Sequence, residues 1–239
     1  MSKASSLKRI LNKDIKEIEN QKLNDLGIYI QFDEENMLKA KAMITGPKGS
    51  LYESGFLFFN IDFPNNYPYS PPDVSYISRN KVRIHPNLYV GSHRSGFGKV
   101  CLSILGTWSG PKWTTIMDIT SVLITIQSLL DQNPLHHEPG QEKENGSINK
   151  YYNEVIRYET LNTLLIRNFI DPPFGFEIFH EDMVKEISKI NKGKITEEIN
   201  SLIEKSGNNE KIIISVPIYR INSSINYKKL LLNYETLIN

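Results

Sequence analysis

The sequence carries one cysteine, Cys101. It stands between a glycine-rich stretch, Gly91-Ser92-His93-Arg94-Ser95-Gly96-Phe97-Gly98, and the run Leu102-Ser103-Ile104-Leu105. A thiolate can attack an activated carboxyl group and hold the acyl chain as a thioester. A lone cysteine in an apolar run is more often an inert buried thiol, so its neighbours must decide. His85-Pro86-Asn87 lies upstream, and Trp108-Ser109-Gly110-Pro111-Lys112-Trp113 follows.

Competing chemistries fail on spacing. A phosphate-binding loop ending at Gly98-Lys99 would need glycine at His93 and a hydroxyl residue at Val100. A dinucleotide fingerprint would need a third glycine where Cys101 stands. A zinc site needs clustered Cys and His, and the adjacent His136-His137 are poorly placed to share one ion. No Gly-x-Ser-x-Gly elbow is present. No bound metal or cofactor is therefore expected.

Composition narrows the class further. The 239 residues are 39% hydrophobic and 23% charged, enough for a core, with a formal net charge of +1. That charge offers no strong field for nucleic acid or an acidic membrane. A single cysteine closes no internal disulfide, which suits a reducing compartment. The first residues are polar and basic, without a following apolar segment. Val122–Leu130 is too short and too polar to span a bilayer. The expected location is cytoplasmic or nuclear.

These residues need a scaffold. Leu7, Ile10, Leu11, Ile15 and Ile18 recur at helical spacing, with Lys8, Arg9, Lys13 and Lys16 on the remaining surface. Strand-like runs follow at Gly27–Phe32, Leu38–Thr45 and Tyr52–Phe63, with a fourth at Val74–Ser78. Gly46-Pro47-Lys48-Gly49 marks a turn. Four prolines in the Asp62–Asp73 run exclude a helix and any central strand. Thr115 and Asp118 have capping-box spacing at the head of an apolar helical stripe: Ile116, Ile119, Val122, Leu123, Ile126, Leu129 and Leu130. A further helix is predicted over Ser147–Phe169, and Asp171-Pro172-Pro173 marks a boundary. Beyond it, helices are predicted near Ile187 and Leu202, a strand over Ile212–Val216 and a helix over Leu230–Leu237.

The order of these features resembles the ubiquitin-conjugating enzymes: a basic first helix, a meander, a proline-rich loop, His85-Pro86-Asn87, the cysteine, Trp and Pro, then a long helix. The resemblance covers about Leu7 to Phe169. The segment Gly98–Pro111 is similar to the larger, Z-type members, as are Asn133-Pro134 through Glu138-Pro139-Gly140 and Tyr152–Thr160. The resemblance implies an α+β fold with an N-terminal helix, a four-stranded antiparallel meander, a crossover helix and C-terminal helices. Residues 1–170 would form the conjugating core. Residues 171–239 would be an extension packed against it, on the strength of their recurring apolar residues.

The resemblance also implies roles. Cys101 would receive ubiquitin or a ubiquitin-like protein from an activating enzyme, which is where ATP is consumed, and pass it to a lysine amine, with a ligase assisting. Asn87 would stabilise the oxyanion, or alternatively hold the loop backbone. His85 would be mainly structural. The acidic residue that orients the lysine in many family members falls near His136 by direct count, or near Glu138 if the loop is longer. Lys8, Arg9 and Lys13 match the face that meets the activating enzyme. Tyr69 and the Ser109–Lys112 loop, including Pro111, match ligase-binding positions. The face that binds ubiquitin non-covalently would lie around Tyr29. Cys101 stands fourteen positions after Asn87, longer than usual, and the inference is that the surplus bulges outward. Two rivals remain: a catalytically dead binding module and a cysteine hydrolase that pairs the thiol with a histidine.

Overall fold

A computed structural model describes residues 3–91, 98–207 and 209–238. Helix α1 spans residues 3–20 and contains a π-helical turn, Ile10–Asp14. Strands β1 (Ile28–Phe32), β2 (Lys39–Thr45), β3 (Phe56–Asp62) and β4 (Asp73–Tyr76) form the antiparallel meander. A short fifth strand, β5 (Gly98–Lys99), pairs with β4, so the sheet has one more strand than the sequence suggests. Helix α2 is Ile119–Leu129, and α3 spans residues 147–170, with a π segment over Thr160–Arg167.

The register assigns the two faces of the sheet. Ile28, Ile44 and Leu57 align across β1 to β3, as do Ile30, Ala42 and Phe59. Successive side chains alternate between faces, so these rows share one face. That face joins the core with Val122, Leu123 and Ile126 of α2. The opposite face carries the row Tyr29, Met43 and Phe58. It is apolar at that end and needs a cover.

The C-terminal segment supplies the cover. Helix α4 (His180–Ser188) and the residues before it lie there: the Phe176 ring sits 5.0 Å from Phe58, and the Tyr29 hydroxyl donates to Glu186 at 2.6 Å. Helix α5 (Lys192–Lys205) clamps onto α3, where Arg157 makes two bonds to the Glu198 carboxylate at 2.7 and 2.8 Å. Strands β6 (Ile212–Val216) and β7 (Ile221–Ile225) form a hairpin, and α6 (Tyr227–Ile238) closes the chain. The Tyr227 hydroxyl donates to Glu154 of α3 at 2.9 Å.

Two local differences from the sequence reading have clear causes. Helix α2 starts at Ile119, not Thr115, because Asp118 caps it by accepting from the Ser121 amide at 2.9 Å. The Ile116 and Met117 carbonyls instead accept from Lys13 and Arg9, at 2.9 and 3.0 Å, and the Ile119 amide donates to buried Asp14 at 3.1 Å. Ile116 is therefore 78% exposed rather than part of the buried stripe. The second difference is the tip of the β6–β7 hairpin. Tyr219 and Arg220 both adopt left-handed backbone, with φ of 58° and 52°. That region costs an ordinary residue about 1–2 kcal/mol, so neighbouring contacts must hold the tip in place.

Candidate functional site

The cysteine loop is fixed by its own backbone. Leu88 and Val100 form an antiparallel bridge, and the Tyr89 amide donates to the Lys99 carbonyl at 3.0 Å. The surplus residues between Asn87 and Cys101 thus leave and rejoin at a closed neck. Residues 92–97, most of the glycine-rich stretch, lie outside the described residues. Below the neck, the Cys101 amide donates to the Asn87 carbonyl at 2.8 Å, and the Asn87 Nδ2 donates to the Cys101 carbonyl at 2.7 Å. The long spacing has not displaced Asn87 from the cysteine. Thr107 secures the far side: its hydroxyl accepts from the Leu102 amide at 2.9 Å and donates to the Val100 carbonyl at 2.7 Å.

Asn87 has further hydrogen-bonding capacity. One Nδ2 hydrogen serves the Cys101 carbonyl, and an amide carries two. Its Oδ1 is buried and has no partner among the described residues.

His85 is a structural residue. Its Nδ1 accepts from the Asn87 amide at 3.0 Å, and its Nε2 donates to the Leu129 carbonyl at 3.0 Å. Both ring nitrogens are therefore taken. Burial, with help from nearby His137, pushes its pKa down from 6.5 to about 3. The unfolded chain takes up a proton that the fold refuses, so stability present above pH 6.5 is lost as pH falls towards 3. Between pH 7 and pH 5 the expected loss is about 2 kcal/mol, and His85→Gln should flatten it. Denaturant midpoints at the two pH values measure this. Equal slopes for both proteins would remove His85 as the cause.

The thiol itself is only 2% exposed. Burial raises its pKa, and the Glu138 charge adds to that. Lys99, Arg83 and a hydrogen bond with Tyr89 act the other way. Arg83 is held by its surroundings: its guanidinium carbon lies 3.5 Å from the Tyr89 ring centre and 4.4 Å from that of Tyr219. The sequence reading missed Arg83, Tyr89 and Tyr219. No motif or spacing marks them, because an aromatic–cation stack between remote segments leaves no local pattern.

The His136 Nε2 donates to the Glu144 carbonyl at 2.9 Å. The Glu138 charge bears on the thiol, and its carboxylate accepts from the Tyr219 hydroxyl.

The surface positions fall in two groups. Tyr69 is 58% exposed, and Ser109, Pro111 and Lys112 are exposed beside it. Trp113 joins their loops by donating from Nε1 to the Pro68 carbonyl at 2.6 Å. On α1, Lys8 is exposed, while Arg9 turns inward to the Met117 carbonyl and to Asp14, 3.4 Å from its Nε. Lys13 is half-buried on the Ile116 carbonyl. Tyr29 is the exception to the expected surfaces. It is 6% exposed beneath α4, so the face around it is closed by this chain's own C-terminal segment.

Among the described residues, no group of three or more His, Cys, Asp or Glu is placed to hold a metal ion. No described helix is long and apolar enough to cross a membrane.

Comparison with known proteins agrees with this geometry. The family model described as ubiquitin-conjugating enzyme matches residues 10–160. The ubiquitin-conjugating enzyme E2 Z of Danio rerio is 48% identical over 138 residues, covering 56% of this chain and 40% of its own length. Its Homo sapiens counterpart is 47% identical over the same number of residues, with 37% of its length covered. The chain thus spans about two fifths of these relatives. A probable ubiquitin-conjugating enzyme of Acanthamoeba polyphaga mimivirus is 34% identical over 197 residues, covering 77% of this chain and 13% of its own. A solved E2 domain from Toxoplasma gondii is 26% identical, covers 64% of this chain and 97% of its own, and superposes with a TM-score of 0.47. With the family match spanning the sheet, the cysteine loop and the crossover helix, this chain belongs to the ubiquitin-conjugating enzyme family and is similar to its Z-type members.

Proposed function

We propose that this chain accepts ubiquitin or a ubiquitin-like protein as a thioester on Cys101 and transfers it to a lysine amine. The reciprocal bonding of Asn87 and Cys101 carries this reading, because it sets an amide donor beside the protein's only thiol. The Cys101 thiolate attacks the modifier's C-terminal carbonyl, held as a thioester on the activating enzyme. A new C–S bond forms and the activating enzyme's thiolate leaves. A lysine amine then attacks the Cys101 thioester: a C–N bond forms, the C–S bond breaks, and the amine gives up a proton. Glu138, half-buried and acting on the thiol, is the carboxylate we assign to orient that amine.

The hydrolase rival is disfavoured on geometry. It needs a histidine paired with the thiol; among the described residues, His85 has both nitrogens engaged, His136 faces the Glu144 carbonyl and His137 faces the Asp131 carboxylate. We further propose that a ligase meets the rim formed by Tyr69 and Ser109–Lys112, that Lys8 and its neighbours on α1 meet the activating enzyme, and that the protein works in the cytoplasm or nucleus.

Incubating the purified chain with activating enzyme, ATP and a panel of modifiers tests the reading. A reductant-sensitive adduct is expected, and its absence with every modifier would refute it. Asn87→Ala is expected to slow discharge to free lysine by about a hundredfold, the usual loss for one oxyanion donor, and to slow charging far less. Discharge at the wild-type rate in a folded variant would reduce Asn87 to its loop-holding bond.

A further inference from the structure

We infer that Tyr219, carried by the C-terminal hairpin, is a positioning residue of the thioester site: its ring fixes Arg83 and its hydroxyl fixes Glu138. The inference rests on the reading of Cys101 as the acyl carrier and deepens it. The conjugating core alone would lack one wall of the site.

The placement is specific. The Tyr219 and Tyr89 rings both pack against the Arg83 guanidinium. Tyr152 backs the Tyr219 ring, with centres 5.9 Å apart. The Tyr152 hydroxyl also donates to the Arg83 carbonyl at 3.0 Å, and Arg83 itself donates to the Pro86 carbonyl. The clamped arginine thus stands at the root of His85-Pro86-Asn87. Tyr219 donates to the Glu138 carboxylate, and burial together with that carboxylate keeps the phenol protonated. One aromatic residue therefore holds a cation and an anion that both act on Cys101.

The backbone conformation at this contact is costly and must be held by it. Tyr219 and Arg220 are adjacent non-glycine residues in left-handed conformation. Such outliers persist where surrounding contacts over-determine them, and they cluster at functional sites. Neighbouring Ile218 would fill space as well, but it could not bond a carboxylate.

Among the described residues, the groups acting on the thiol include Lys99 on β5, Arg83 before the neck, Tyr89 at the neck and Glu138 beyond α2. Removing the Tyr219 ring leaves Arg83 held by the Tyr89 ring alone and leaves Lys99 in place. Removing only the hydroxyl leaves the stack and releases Glu138. The two functions can therefore be read apart.

The experiment uses the full chain, with Cys101 alkylation by iodoacetamide followed against pH and lysine discharge of the charged protein followed in parallel. In Tyr219→Ala, the alkylation midpoint should lie roughly half a pH unit above that of Tyr219→Phe as the positive charge loosens. In Tyr219→Phe, that midpoint should not rise, because the released Glu138 carboxylate is a charge that raises it, while discharge slows about tenfold through misplacement of the amine-orienting group. Tyr219→Phe should add nothing in a Glu138→Gln background, where the carboxylate is already absent. Equal alkylation midpoints in folded Tyr219→Ala and Tyr219→Phe, or an unchanged discharge rate in Tyr219→Phe, overturn the inference. If Tyr219→Ala does not fold, the Tyr219→Phe rate and the double variant decide alone. Alkylation needs no activating enzyme or modifier. A wild-type chain that never charges would thus refute the acyl-carrier reading while leaving the clamp on Arg83 measurable.

Discussion

Cys101→Ala is expected to abolish charging altogether, and Cys101→Ser to give either a reductant-resistant ester or no adduct. No other thiol exists in the sequence to take over. The expectation depends on more than the lone cysteine, because a thiol that is 2% exposed could be inert packing. What distinguishes it is the company it keeps: a hydrogen bond from Tyr89 and the positive charges of Arg83 and Lys99. Those groups oppose a burial effect that still holds the thiol above its ordinary pKa. The thiolate fraction at neutral pH is therefore small and grows as pH rises. Single-turnover charging should accelerate accordingly from neutral into alkaline pH, provided the activating enzyme is in excess. A reductant-sensitive adduct in Cys101→Ala would sink the assignment. A charging rate that falls as pH rises would show that the thiol is not the group being titrated.

Much of this site was legible because it is encoded locally. His85-Pro86-Asn87 and the residues around Cys101 are each contiguous, and the structure joins them through two backbone-anchored bonds. The apolar stripe of α2 was legible because helical period fixes which side chains share a face. Its start was not. Thr115 and Asp118 had the spacing of a capping box, but so did Asp118 and Ser121, and contacts from α1 to the Ile116 and Met117 carbonyls settled the competition. Strand β7 was missed because Ile221-Asn222-Ser223-Ser224-Ile225 is short and largely polar. Its alternation of buried and exposed residues emerges only when it pairs with β6. Arg83, Tyr89 and Tyr219 were missed for a different reason: their contact is tertiary, and each reads alone as an ordinary surface residue.

The face around Tyr29, where a ubiquitin-binding surface was expected, is closed for a reason that the register exposes. Tyr29, Met43 and Phe58 form one cross-strand row on the face opposite the core helix. A row of large side chains there must meet something, and this chain carries its own partner in the C-terminal segment. Phe176→Ala is accordingly expected to destabilise the protein by about 3–5 kcal/mol, the range for emptying a buried aromatic site. The Phe176 ring is 2% exposed, touches Phe58 and lies near Phe179, and has the Lys41 ammonium 5.5 Å from its centre. Truncation leaves a cavity that only partial collapse of α4 could fill. Denaturant midpoints measure the loss, and a change below about 1 kcal/mol, the usual size for surface sites or less, would mean that the segment does not rest on the sheet. Charging per folded molecule should persist, because the hairpin that holds Arg83 and Glu138 is seated on α3 through Tyr219 and Tyr152 rather than on this face. Free ubiquitin titrated against the wild-type chain should leave the resonances of Tyr29, Met43 and Phe58 unmoved, and perturbation confined to that row would show that α4 yields to a partner.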